Sequence, residues 1–145
     1  MNRLLKAEIV IDTDAFIYFK SRNMLEMVFD RFNVIFTEKL FDEMEHHIKT
    51  IELEQMKGKF LFVELNEEEK ELKYKIIKWH YGKNKAIDYK KGKFKRSEGE
   101  IDGICLGYSR KVIYITLDHH AQLTAKNFHV QCYNPESFIY KFLKP

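Results

Sequence analysis

Short apolar runs, each cut off by charges, recur along this chain and alternate between the two periodicities of regular structure. Ile9-Val10-Ile11 is a continuous β-branched run that stops at Asp12, and Ala15 to Phe19 can begin a helix. Met24, Met27, Val28 and Phe32 recur at helical spacing, and Val34 to Phe36 is a second short strand. Thr37 then reads as the N-cap of a helix whose apolar face is Leu40, Phe41, Met44 and Ile48. Phe60 to Leu65 reads as a third strand. Asn66 opens a helix to about Trp79, with Glu67, Glu68 and Glu69 complementing the positive end of its dipole. A polar stretch over 81–97 reads as a loop. Ser97 with Glu100 three residues on matches a capping box ahead of Ile101, Ile104, Cys105 and Tyr108. Val112 to Ile115 is a fourth strand, Asp118 to about Lys126 a helix, His129 to Cys132 a fifth strand, and Pro135 to Leu143 a last helix.

Continuous apolar strands alternating with helices predict parallel βαβ units. The expected fold is therefore α/β, a three-layer α/β/α sandwich with a central parallel sheet of four to five strands. In such a sheet, sites form beyond the carboxyl ends of the strands. The 145 residues, with 45% hydrophobic and 32% charged positions, suit one domain over 1–145. No run approaches the roughly 18 to 20 apolar residues of a membrane span. Arg3 and Lys6 lead straight into the first strand with no apolar leader segment, so export is not expected. Cys105 and Cys132 sit inside apolar patterns rather than at metal-type spacing, which fits a reducing cytoplasm.

Charge is unevenly divided. Lys83, Lys85, Lys90, Lys91, Lys93, Lys95 and Arg96 face only Asp88 within their segment, a local charge of +6 in a chain of net charge +3, so the remainder sums to −3. Such a segment suits phosphates or is simply a solvated loop.

The carboxylates carry the candidate chemistry. Asp12 ends the first strand, Asp118 lies just beyond the fourth after Thr116, Glu43 and Glu45 ride the helix entered at Thr37, and Asp102 lies early in the helix entered from the basic segment. Four elements can thus bring four acids to one edge, where crowded like charges need a cation or protons. Oxygen ligands without thiolates select hard ions, Mg²⁺ or Mn²⁺, which activate water and stabilise charge on a phosphodiester. Each acid also has a plainer role. Asp14 or Asp118 can cap a helix, Glu98 and Glu100 can serve a helix dipole, and periodicity does not separate Glu43 from Glu45.

In this order the residues resemble the PIN-domain nucleases. Ile9 to Ile17, with Asp12-Thr13-Asp14, is similar to the family's first motif; Thr37 to Met44 to its second; Gly99 to Leu106 to its third; and Tyr114 to Asp118 to its fourth. The resemblance covers nearly the whole chain and implies a PIN-like fold in which Asp12, Glu43, Asp102 and Asp118 are the catalytic, metal-holding acids. Glu43 is thereby chosen over Glu45, and Asp14, Glu100 and Thr116 become supporting. Two positions depart from the pattern: Gly103 stands where Ala is usual, and His119-His120 follow the last acid. The pairs His46-His47 and His119-His120 invite a transition-metal reading, which adjacent histidines disfavour because both cannot easily point into one site.

The resemblance implies a Mg²⁺- or Mn²⁺-dependent ribonuclease. Lys83, Lys85, Lys90, Lys91, Lys93, Lys95 and Arg96 would hold the RNA backbone, and Tyr81, Tyr89 and Phe94 either stack bases or pack the loop onto the body. A bare PIN domain is also similar to the toxin ribonucleases of toxin–antitoxin modules, which would imply an antitoxin partner and a homodimer; a housekeeping RNA-processing enzyme of the same fold is the alternative. Outside the family, Asp12-Thr13-Asp14 matches the opening of haloacid-dehalogenase-type phosphatases, with Asp12 as nucleophile. A receiver domain wants an Asp ending the third strand, where Leu65 and Asn66 stand. An inactive PIN-like module that binds RNA or protein completes the alternatives.

Overall fold

The computed structural model describes residues 6–143, so part of the N-terminal stretch behind the export expectation, 1–5, lies outside it. The chain runs β1 (Ala7–Ile11), α1 (Thr13–Ser21), α2 (Leu25–Arg31), β2 (Phe32–Phe36), α3 (Glu38–Glu45), α4 (Thr50–Met56), β3 (Phe60–Phe62), α5 (Glu67–Tyr81), α6 (Lys83–Lys90), α7 (Gly99–Arg110), β4 (Ile113–Ile115), α8 (His119–Asn127), β5 (Cys132–Tyr133) and α9 (Pro135–Phe138), which continues as one π-helical turn over Ile139–Leu143. All strand pairings are parallel, in the order β3-β2-β1-β4-β5. The three-layer α/β/α sandwich with five strands is therefore the fold. No helix among the described residues is long and apolar enough to cross a membrane.

The strand order places the site. From β1 the chain steps outward through β2 to β3, then returns to the other side of β1 for β4 and β5. The connections reverse at the β1/β4 boundary, the crevice where ligands of open parallel sheets bind. Asp12 leaves β1 there, its N–H donating to the Ile115 carbonyl at 3.1 Å, and Thr116 extends the ladder by donating to Tyr133 at 3.0 Å.

On one face of the sheet, Phe32 and Phe36 project from alternate positions of β2, as the two-residue repeat requires. Phe36 meets Phe16 and Phe60 at centroid distances of 6.3 and 4.6 Å, and Phe32 meets Phe138 at 5.2 Å, so α1 and α9 are docked by interlocking rings. On the other face α7 packs over β1 and β4, flanked by α5 and α8. That close approach explains the glycine at position 103. A Cβ there would overlap the ring of Tyr114, which is fully buried on β4. Gly103→Ala is expected to cost about 2 kcal/mol by overpacking, with part recovered when Tyr114→Leu is added. Urea unfolding measures both, and a Gly103→Ala protein as stable as its parent would refute the packing account.

Several elements differ from the expected ones. Phe32 begins β2 rather than ending α2, α5 runs to Tyr81, and β3 stops at Phe62. The strand expected at His129 to Cys132 is Cys132–Tyr133, because His129 takes a left-handed turn (φ 59°) closing α8. Helix α4 was not expected. The basic stretch over 81–97 is not a loop throughout, since Lys83–Lys90 forms α6, whose single buried residue is Ala86.

Candidate metal centre and its supports

Asp12 ends a buried strand and caps the next helix. Its Oδ1 accepts from the Ala15 N–H at 3.1 Å, which makes Asp12, rather than Asp14, the N-cap of α1. Its Oδ2 accepts from the Thr116 hydroxyl and lies 3.4 Å from the Tyr114 hydroxyl. The residue is 9% exposed, and burial pushes its carboxyl up to about 6; the hydrogen bonds from Thr116 and Ala15 offset part of that rise, while the charges of Asp14 and Glu100 add to it.

Thr116 joins two of the acids. While donating to Asp12, its oxygen accepts from the Asp118 N–H at 3.0 Å, and Asp118 in turn caps α8 by accepting from the Ala121 N–H at 3.0 Å. One fully buried hydroxyl therefore sets the relation between the end of β1 and the start of α8.

Glu43 reaches the same edge from α3. Its Oε1 accepts from the Ser97 hydroxyl and from the Gly99 N–H at 3.0 Å. A Cβ on Gly99 would overlap that carboxylate, so a larger residue there would displace the head of Glu43 from its present position. Glu45 is exposed and lines a different hollow, with Glu38 and Asp42. The capping box expected of Ser97 and Glu100 does not form, because α7 has no side-chain cap. Ser97 is spent on Glu43, and Glu100 accepts from the Tyr81 hydroxyl at 2.6 Å and lies 3.3 Å from His80 Nε2.

These residues form one cleft of about 390 Å³, lined by Asp12, Thr13, Asp14, Glu43, His46, His47, Ser97, Glu100 and Asp118. Five of the nine are carboxylates, and none is Lys or Arg. Both His46 and His47 border it. The other pair does not, and His120 instead stacks on His80 at 3.8 Å.

Asp102 is not among the lining residues. It is 1% exposed, its Oδ2 accepts from the Thr37 hydroxyl at 2.6 Å, and its Oδ1 lies 2.7 Å from Lys73 Nζ. Residues two apart on a helix point about 200° from one another, so Glu100 and Asp102 cannot face one cleft together. Glu100 faces it. Lys73 is also 2.8 Å from Glu98, which Lys39 contacts at 3.3 Å. Burial opposes the Lys73 charge, but the Asp102 and Glu98 carboxylates outweigh burial and hold its ammonium above the ordinary lysine range.

Lys73 and His80 were not singled out from the sequence, yet a signal existed. Glu69, Lys73 and His80 share the buried stripe of α5 with Ile76 and Ile77, and a charge in that register needs a partner. Of the basic side chains, Lys83, Lys91, Lys93, Lys95 and Arg96 are exposed, Lys85 is half-buried, and Lys90 is bound to Glu71 at 2.8 Å. None lines the cleft. Tyr81, Tyr89 and Phe94 pack against the hydrophobic core, with Tyr81 and Tyr89 meeting Phe94 at 5.6 and 6.2 Å, which fastens the segment to the body.

Among the described residues, no three His, Cys, Asp or Glu side chains stand close enough, as positioned, to hold a metal ion. By chemistry the donors do fit a hard divalent ion. The lining offers carboxylate oxygens and the imidazoles of His46 and His47 but no thiolate, and Thr13, which borders the cleft, has a buried hydroxyl without a hydrogen-bond partner. No protein-family model matches the chain, and no curated protein matches it either.

Proposed function

We propose that this protein is a divalent-metal-dependent nuclease that hydrolyses RNA phosphodiester bonds at the cleft between β1 and β4. The observation that carries the reading is the convergence of Asp12, Asp14, Glu43, Glu100 and Asp118 on one opening at the switch point, with no lysine or arginine among the lining residues. Mg²⁺ or Mn²⁺ held by Asp12, Glu43 and Asp118 would supply a water activated near neutral pH and positive charge for the phosphoryl oxygens. The chain's own part is positional. Thr116 fixes Asp12 and Asp118 together, Ser97 and Gly99 hold Glu43, and Tyr81 with His80 holds Glu100. Preference for RNA, like a toxin role with an antitoxin partner, rests on the resemblance to PIN-domain nucleases.

The exposed cations of 91–96 lead directly into α7 and so toward Glu100, where they can take the phosphate backbone entering the cleft. Replacing Lys91, Lys93 and Lys95 together with serine is expected to flatten the salt dependence of single-stranded RNA binding, lowering the log–log slope by about 2, near 0.7 per phosphate contact. An unchanged slope would remove the segment from the interface.

The activity itself is tested with purified protein and a mixed RNA pool, with and without Mn²⁺, beside an Asp12→Asn protein prepared identically. Cleavage that needs the ion and vanishes in the variant is the expected result. Cleavage retained by Asp12→Asn would count against the reading, and phosphate trapped on Asp12 would replace it with the phosphatase.

A further inference from the structure

The third acid of the resemblance is already neutralised by the chain itself. Asp102 sits at the junction of three helices, with the Lys73 ammonium of α5 at 2.7 Å, the Thr37 hydroxyl preceding α3 at 2.6 Å, and its own backbone on α7. Lys73 is 5% exposed and Asp102 1%, so water screens neither, and Glu98 supplies a second carboxylate to the same ammonium at 2.8 Å. An ammonium so placed repels a divalent ion approaching Asp102, and in a poorly screened interior that repulsion is strong.

We propose that Lys73 is the permanent counter-ion of Asp102, that Asp102 is thereby withdrawn from metal binding, and that the cleft takes a single divalent ion with Glu100 as the acid contributed by α7. This rests on the nuclease reading above and specifies its metal site. Three features agree. Glu100 borders the cleft while Asp102 does not. The helical offset of two residues sends their side chains to opposite sides. Glu100 is fixed by neutral or histidine partners, Tyr81 at 2.6 Å and His80 at 3.3 Å, rather than by a lysine or arginine, which leaves its charge available. Asp102 is turned into the helix interface, so it is not placed to bridge a second ion about 4 Å from the first.

The test is a Mn²⁺ titration of the full chain read by the electron paramagnetic resonance signal of the free ion, which reports stoichiometry and affinity without any activity. The parent is expected to bind one Mn²⁺ per chain. Asp102→Asn is expected to keep that stoichiometry with affinity changed less than about threefold, whereas Glu100→Gln weakens binding by about tenfold or more. Because removing one partner of a buried pair can unfold the protein, a Lys73→Met, Asp102→Leu double variant replaces the pair with apolar side chains and is expected to bind Mn²⁺ as the parent does. Two ions per parent chain, or loss of Mn²⁺ binding by folded Asp102→Asn or by the folded double variant, would overturn the inference and leave the nuclease reading standing. No Mn²⁺ on the parent would overturn both.

Discussion

Asp12→Asn is expected to melt higher than the parent at pH 8 in the presence of a chelator. Burial places the Asp12 carboxyl at about 6 in the folded protein, against 3.8 in the unfolded chain. A folded-state value raised in this way means that the fold prefers the protonated form. The associated stability is fully present below pH 3.8 and is lost as pH rises through 6, a loss of about 3 kcal/mol at 1.36 kcal/mol per pH unit. Asparagine removes the ionisation and keeps an oxygen for the Ala15 N–H, at the cost of the charge-assisted hydrogen bond from Thr116. The net gain is about 1 to 2 kcal/mol, or roughly 5 °C in Tm, shrinking toward nothing at pH 4. A divalent ion offsets the same strain, so Mn²⁺ raises the parent's Tm more at pH 8 than at pH 5 and barely moves the variant's. Thermal unfolding across pH with and without Mn²⁺ measures all three. A variant destabilised at pH 8 as much as at pH 4 would show that the carboxylate serves the fold rather than a ligand, since strain kept at a site is what function requires and stability opposes.

Arg110→Ala is expected to have the opposite pH signature and the larger loss. Arg110 grips the Glu69 carboxylate in a two-pronged contact, Nε to Oε2 at 2.9 Å and a terminal nitrogen to Oε1 at 2.9 Å, while Ser109 also donates to it. Glu69 simultaneously closes a capping box with Asn66. The contact ties the start of α5 to the end of α7, and without Arg110 a carboxylate that is 3% exposed loses its cation, which costs about 3 kcal/mol. Arg110 lowers Glu69 to about 2 from 4.5, against the opposing effect of burial. A lowered value gives stability that is present above pH 4.5 and lost as pH falls through 2. That pH-dependent part is on the order of 2 kcal/mol, because solvent reaches the arginine. Parent and variant therefore converge between pH 5 and pH 2 in urea unfolding. A difference independent of pH would assign the loss to packing of the arginine stem instead.

The features legible in the sequence were the local ones. Ile9-Val10-Ile11, Val34 to Phe36 and Val112 to Ile115 read as buried parallel strands because such strands have no polar face to alternate with. Thr37 read as a helix cap, and Asn66 and Asp118 as residues opening helices, because a helix start is decided within three residues; all three accept from the backbone N–H three residues on. The link from Asp12 through Thr116 to Asp118 was half legible, since each stands at a strand end.

Long-range partners were not legible. Ser97 is claimed by Glu43, 54 residues away, before it can cap α7, and Glu100 by Tyr81, 19 residues away. Lys-rich α6 has no apolar stripe to reveal it. Asp102 takes its place from motif spacing, and its pairing with Lys73 on α5 is another such long-range contact.

The most direct measurement of the central claim is anomalous diffraction from crystals grown with Mn²⁺. The account predicts one Mn²⁺ peak in the cleft, bounded by Asp12, Glu43 and Asp118. A saturated crystal with no peak in that cleft, or with a peak beside Asp102 in place of Lys73, would contradict it.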